Sequence, residues 1–141
     1  MSGNRRRSRE RALQALYQID LAAADPLEAL HIAASAEEGP SATDPEVGAF
    51  ATELVQGVTA HLAELDELIQ KYSLNWRVER MSRIDRNVVR LAAFELRYQP
   101  ETPGRVILNE AIDLGKRYGS DESSAFVNGI LDKVAQELGR R

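Results

Sequence analysis

Apolar residues recur every three or four positions along almost the whole chain, and nowhere do they alternate with period two. That rhythm predicts helices and no strands. Proline and glycine clusters cut it into segments. The first helix is predicted from about Ser8 to Ala23, with Leu13, Leu16, Tyr17 and Asp20 near one face and arginines feeding its first turns. Asp25-Pro26-Leu27-Glu28 is a second start signal. Asp25 is the N-cap, Pro26 takes the first helical position where its missing N–H costs nothing, and Glu28 completes a capping box. Residues 35 to 43 have no apolar spacing and predict an exposed loop with freedom to move.

Asp44-Pro45-Glu46 repeats the start signal, and the rhythm then runs from Val47 to Tyr72. That is long for one globular helix, so a bend is predicted between Gly57 and His61, where glycine lowers helix propensity. Asn75 and Trp76 close the segment. Ser82 with Asp85 caps a helix from Ile84 to Tyr98, and Gln99 to Gly104, with two prolines, breaks the chain. Arg105 to Tyr118 follows, ended by Gly119 in the C′ role, and Ser120 or Asp121 caps a last helix to about Leu138. The expectation is an all-α bundle of six or seven helices.

At 141 residues a chain hides about 68–70% of the surface it exposes unfolded, so one domain with a real core is available without staples. The absence of cysteine excludes disulfides, thiolate metal sites and thiol nucleophiles. His31 and His61 stand thirty residues apart with no carboxylate or second histidine at ligand spacing, so no metal and no catalytic triad are expected. The longest uncharged stretches are too polar to span a bilayer, and the opening arginines are no apolar signal core; a cytoplasmic location is expected. The net charge of −4 conceals three regions. Residues 1–11 are basic, residues 12–76 hold eleven acidic side chains against Lys71 alone, and residues 77–141 are mixed.

Five arginines in positions 5 to 11 outnumber the one nearby acid, Glu10, and suggest an anion partner, for which RNA is the natural choice. Such an arm can stay disordered until it binds. The alternative is a solvated, frayed terminus. On a helical wheel Arg83, Arg86, Arg90 and Arg97 form one stripe opposite Ile84, Val88 and Leu91, read as a solvent-facing charged face. Glu95 falls on the apolar side, where a carboxylate needs hydrogen bonds from a helix N-terminus or an arginine; its expected role is structural. Tyr118 and Phe126 are core aromatics or a stacking platform for a base, and spacing alone favours the core. Nothing supports an enzyme or a cofactor. There is no phosphate loop or nucleophile elbow, and Asp121 with Glu122 is explained as helix capping.

Four blocks carry a resemblance: Arg5-Arg6-Arg7-Ser8-Arg9-Glu10 leading into Ala15-Leu16-Tyr17, Arg90 to Leu96, Asn109 to Leu114, and Phe126-Val127-Asn128-Gly129-Ile130-Leu131-Asp132-Lys133. In order and spacing they resemble the NusB family of bacterial transcription antitermination factors across nearly the whole chain. The resemblance implies two small helical subdomains in one RNA-binding helical domain over residues 1–141. It divides into an arginine arm over 1–11, N-terminal helices over 12–72 and C-terminal helices over 73–141. It also implies binding of single-stranded boxA RNA from ribosomal RNA operon transcripts together with NusE, a small-subunit ribosomal protein, and attachment to RNA polymerase with other Nus factors.

Carried over by position, Arg5, Arg6, Arg7 and Arg9 match the family's RNA-binding arm, and Tyr17 its first-helix tyrosine near the RNA. Tyr118, Glu122 and Phe126 match its RNA-facing turn, with Tyr118 in place of a phenylalanine and Glu122 in place of an aspartate. Asp85 matches an acidic position at the NusE interface. A related helical domain precedes the catalytic domain of some RNA cytosine methyltransferases, but this chain has neither an α/β domain nor cysteines. A protein-binding helical adaptor without specific RNA recognition is the other alternative.

Overall fold

The computed structural model describes residues 2–141, and among them the regular structure is seven α-helices and two 3₁₀ turns, Pro40–Thr43 and Val78–Arg80. One compact unit, residues 1–60, contains α1 (Ser2–Ala22), α2 (Pro26–Ser35) and α3 (Pro45–Ala60). A second, residues 61–141, contains α4 (Leu62–Lys71), α5 (Arg83–Tyr98), α6 (Gly104–Tyr118) and α7 (Ser123–Glu137). The long apolar rhythm breaks inside the predicted bend. His61 leaves helical geometry at φ −114°, ψ 22°, and the units divide there, between Ala60 and His61, whereas the resemblance drew the line after residue 72. The physical reason is that α3 packs with α1 and α2 while α4 packs on α5, so one rhythm serves two cores.

In the first unit α1 packs on both α2 and α3 around Leu13, Leu16, Leu30, Leu54 and Val55. Asp25 accepts the Glu28 N–H at 3.1 Å with Pro26 at the first helical position, as its sequence predicts. The arginine segment departs from expectation: it is not a disordered arm but the first turns of α1, which begins at Ser2. Contacts to α3 explain why. The Asn4 side-chain amide lies 3.4 Å from the carboxylates of Asp44 and Glu46, and the buried Ser8 hydroxyl lies 3.0 Å from the Val47 carbonyl. The 35–43 loop is also fastened, because the Arg11 guanidinium forks onto Glu37 at 2.5 and 2.8 Å and reaches the Ala42 carbonyl at 3.2 Å.

In the second unit α5 is central and packs on α4, α6 and α7. Every residue from Asn87 to Leu96 is buried, so the expected solvent-facing arginine stripe holds at its two ends and fails at Arg90. Arg90 is 9% exposed and forks onto Asp66 at 2.7 and 2.8 Å; Arg86 donates to the carbonyls of Glu79 and Met81; Arg97 pairs with Glu64 at 3.0 Å. Arg83 and Arg97 are exposed and follow the wheel, Arg86 is half-buried, and Arg90 alone of the four is buried. A wheel separates polar from apolar positions, but it does not register that a helix is covered on several sides. Glu95 is 1% exposed and engaged by neighbouring groups. Ser82 caps α5 as predicted, accepting the Asp85 N–H at 3.1 Å. Where α6 starts, a Cβ on Gly104 would sit 1.6 Å from the Arg140 carbonyl oxygen, so the close approach requires glycine.

His61 has a carboxylate neighbour after all, since Glu64 lies one helical turn on, 3.4 Å from Nδ1. The His61 ring stacks on Tyr98 at 4.3 Å between centroids, and the Tyr98 hydroxyl donates to Glu64 at 2.7 Å. That hydrogen bond, then Arg97 and His61, hold the Glu64 carboxyl below its ordinary range. The same bond raises the Tyr98 hydroxyl. A depressed carboxyl contributes stability above its unfolded value that is lost as pH falls through its folded value. The melting-temperature advantage of the native chain over Tyr98→Phe should therefore hold at pH 7 and shrink below pH ~4.3. It should shrink again above pH ~10, where the raised tyrosine would ionise. A constant advantage across that range would show that the bond carries no pH-dependent stability.

Candidate nucleic-acid interface

The residues singled out by sequence fall into two groups, one in each unit. On the first unit, Arg5, Arg6 and Arg7 are exposed on the opening turns of α1. Cations there oppose the positive end of the helix dipole, and the first turn holds no acid. Arg5 lays its guanidinium 3.7 Å above the Phe50 ring, beside a depression of about 270 Å³ that Glu46 and Glu53 also line. Arg7 reaches Glu10 at 3.5 Å. Arg9 is a different case: only 4% exposed, it lies over the same Phe50 ring at 5.7 Å. Arg11 is likewise buried. The expectation that these guanidiniums lack internal partners therefore fails for Arg5, Arg9 and Arg11, whose partners Phe50 and Glu37 lie in the 37–53 region.

Tyr17 is half-buried farther along α1. Arg6 and Tyr17 stand three turns apart, about 16 Å along the axis and about 20° around it. They share one face. That face offers a cation and an aromatic ring at a spacing that an extended strand can follow.

On the second unit, Tyr118 is 40% exposed and Phe126 half-buried, so neither is the core aromatic that spacing favoured. The turn that carries them is built on close approach. Gly119 is extended (φ −98°, ψ −161°) rather than left-handed, and its lack of a side chain matters because a Cβ would meet Ser123 Oγ at 2.3 Å. Ser123 Oγ accepts the Ser120 N–H at 2.9 Å, and the N-cap of α7 is Glu122, without a side-chain bond. Neither Ser120 nor Asp121 caps α7. Glu122 is consequently exposed, with its carboxylate uncommitted to the helix end.

Glu122 and Phe126 line a depression of about 240 Å³ with Trp76, Arg80 and Asp85. Trp76 is 57% exposed, and it was missed by reading it as the mere close of a helix. The signal was available: a lone tryptophan in a short linker followed by Arg77, Arg80 and Arg83 interleaves an aromatic with cations. Asp85 is half-buried, and its Oδ1 is shut off from solvent with no hydrogen bond among the described residues. No group of three or more metal-ligating side chains occurs among the described residues, and no helix of theirs is long and apolar enough to cross a membrane.

The NusB family model matches residues 6–136. The transcription antitermination protein NusB of Myxococcus xanthus is 56% identical over 138 residues, covering 98% of this chain and 99% of that protein. The protein of the same name from Sorangium cellulosum is 51% identical, covering 98% and 96%. Among solved structures, T. maritima NusB is similar with a TM-score of 0.85 at 36% identity, covering 94% of this chain and 91% of that one. A structure of antitermination factors NusB and NusE in complex with double-stranded RNA gives a TM-score of 0.87 at 25% identity, covering 97% and 99%. The family match reaches into both helical units, and the chain belongs to the NusB family.

Proposed function

We propose that this chain is a transcription antitermination factor. It binds single-stranded boxA RNA of ribosomal RNA operon transcripts together with NusE, and it joins the complex on RNA polymerase with other Nus factors. It acts in the cytoplasm by binding rather than by catalysis. The supporting observation is the cluster of exposed Arg5, Arg6 and Arg7 on the opening turns of α1, where the helix dipole and the guanidinium forks both favour an anion. In this reading Tyr17, Tyr118 and Phe126 stack on bases, Glu122 contacts one, and Arg9 braces the cluster from below. Asp85 faces NusE.

Fluorescence anisotropy with boxA RNA, a scrambled strand and a duplex, with and without NusE over a salt series, tests this. Each neutralised phosphate on a single strand contributes about −0.7 to the log–log salt slope. Changing Arg5, Arg6 and Arg7 together to alanine should flatten the slope by about 2 and weaken boxA binding about fiftyfold near 0.15 M salt. NusE should tighten binding to boxA and not to the scrambled strand. Equal, weak binding to all three RNAs with or without NusE would replace this reading with the protein-binding adaptor.

A further inference from the structure

We infer that Phe50 is a positioning residue for RNA binding: its ring holds the Arg5 guanidinium flat, so that the donors around the guanidinium rim stand ready for a phosphate. The inference rests on the RNA-binding reading above. The guanidinium carbon of Arg5 lies 3.7 Å from the centre of the Phe50 ring. An edge-on guanidinium at that distance would push a nitrogen to within about 3 Å of the ring, inside van der Waals contact, so the two planes lie face to face. Stacking of this kind leaves the N–H bonds pointing sideways, because they lie in the guanidinium plane.

Those donors are uncommitted. Among the described residues Arg5 makes no hydrogen bond and no ion pair, although Glu46 and Glu53 line the depression beside it. The Glu46 carboxylate lies against the Asn4 amide at 3.4 Å, and Glu53 is engaged elsewhere. Arg7 reaches Glu10, and Arg6 also has a contact within the protein. Of the three exposed arginines, Arg5 is therefore the one with its cation placed and its donors unused. The ring beneath it is itself fixed: Phe50 is 7% exposed on α3, and Arg9, one helical turn beyond Arg5, also lies over it at 5.7 Å. The negative π-cloud of one ring thus offsets the repulsion of two guanidiniums. A long side chain ordered before the anion arrives loses less rotamer freedom on binding. A contact that withheld Arg5 from RNA would have to occupy those donors, and Phe50 has no acceptor to occupy them.

Anisotropy with boxA RNA, NusE and a salt series tests the role in the full chain. Phe50→Leu should weaken binding about threefold, the scale of an exposed cation–π contact, while the salt slope stays unchanged because the charge at position 5 remains. Arg5→Ala should weaken binding more than Arg7→Ala and flatten the slope by about 0.7. In the Arg5→Ala background Phe50→Leu should have no further effect, and Phe50→Tyr, which keeps the ring, should bind as the native chain does. Melting curves establish that the variants are folded, and Phe50→Met, whose flexible chain fills the same space, replaces Phe50→Leu if that variant does not fold. Equal weakening by Phe50→Leu with and without Arg5 would show that the ring acts only through the packing of α1 on α3. Unchanged binding would remove the positioning role, and tighter binding would make Phe50 a competitor of the RNA; each of these three results overturns the inference and leaves the RNA reading standing. A native chain that binds boxA no better than a scrambled strand, with NusE present, would overturn both.

Discussion

Arg11→Ala should destabilise the protein by about 3 kcal/mol and lower its melting temperature by about 10 °C, whereas alanine at Arg5, Arg6 and Arg7 should leave folding nearly untouched. The difference lies in what each guanidinium touches. Arg11 is 5% exposed and makes a two-pronged bond to Glu37, which raises its pKa, and it lies 3.4 and 3.2 Å from the carbonyls of Ser41 and Ala42. Removing it strands those acceptors and frees the loop that it fastens to α1. Breaking a buried pair from one side typically costs about 3–5 kcal/mol, and the lower end applies because Glu37, with a side chain 19% exposed, can turn to water. Arg11→Lys should recover only part of the loss, since an ammonium lacks the planar fork. Thermal melts of the variants decide it. A shift under about 2 °C for Arg11→Ala would place Arg11 with the exposed arginines and remove its structural role.

The same run of arginines shows where sequence reading stops. Spacing predicted the helices well, because start signals such as Asp25-Pro26 and Ser82-Asp85 act within one turn and depend on nothing distant. Even the break near His61 was legible, since glycine weakens a helix locally. The fate of each arginine was not legible. Arg5, Arg9 and Arg11 find Phe50 and Glu37 far along the chain, 26 residues away for Arg11 and more for the other two, and no local rule pairs them. The second unit repeats the lesson. Tyr118, Glu122 and Phe126 were found through resemblance, but their exposure depends on the Gly119–Ser123 approach, and Trp76 and Asp85 join them only through the fold.

Acidic residues of the middle segment therefore have two uses. Glu37 neutralises an arginine that serves the fold, while Asp44 and Glu46 hold Asn4 and so keep the exposed arginines on a formed helix. Preformed placement matters for binding, because a helix that is already ordered loses less conformational entropy when the anion arrives. A disordered arm with the same charges would meet RNA at a greater entropic cost.

Arg90→Ala should cost about 3–4 kcal/mol, the largest single effect expected in the second unit. Arg90 leaves α5 and forks onto Asp66 of α4, with a third bond to the Asn87 side chain at 3.2 Å. Other polar ties to α4 are more exposed: Arg97 to Glu64, and Lys71 to Glu137. Pairs of that kind contribute about 0–1 kcal/mol each, so the Arg90 fork dominates the polar attachment of α4. The cost comes from leaving Asp66 without its partner more than from losing attraction. Arg90→Met combined with Asp66→Leu, which removes both charges and keeps apolar volume, should therefore recover most of the stability that either single change loses. Hydrogen exchange should show the loss first in α4, whose apolar hold rests on Leu65 and Ile69. A double-mutant cycle with Arg90→Ala and Asp66→Ala measures the coupling directly. A coupling below about 0.5 kcal/mol would mean that the two side chains act independently and that apolar packing alone holds α4 to α5.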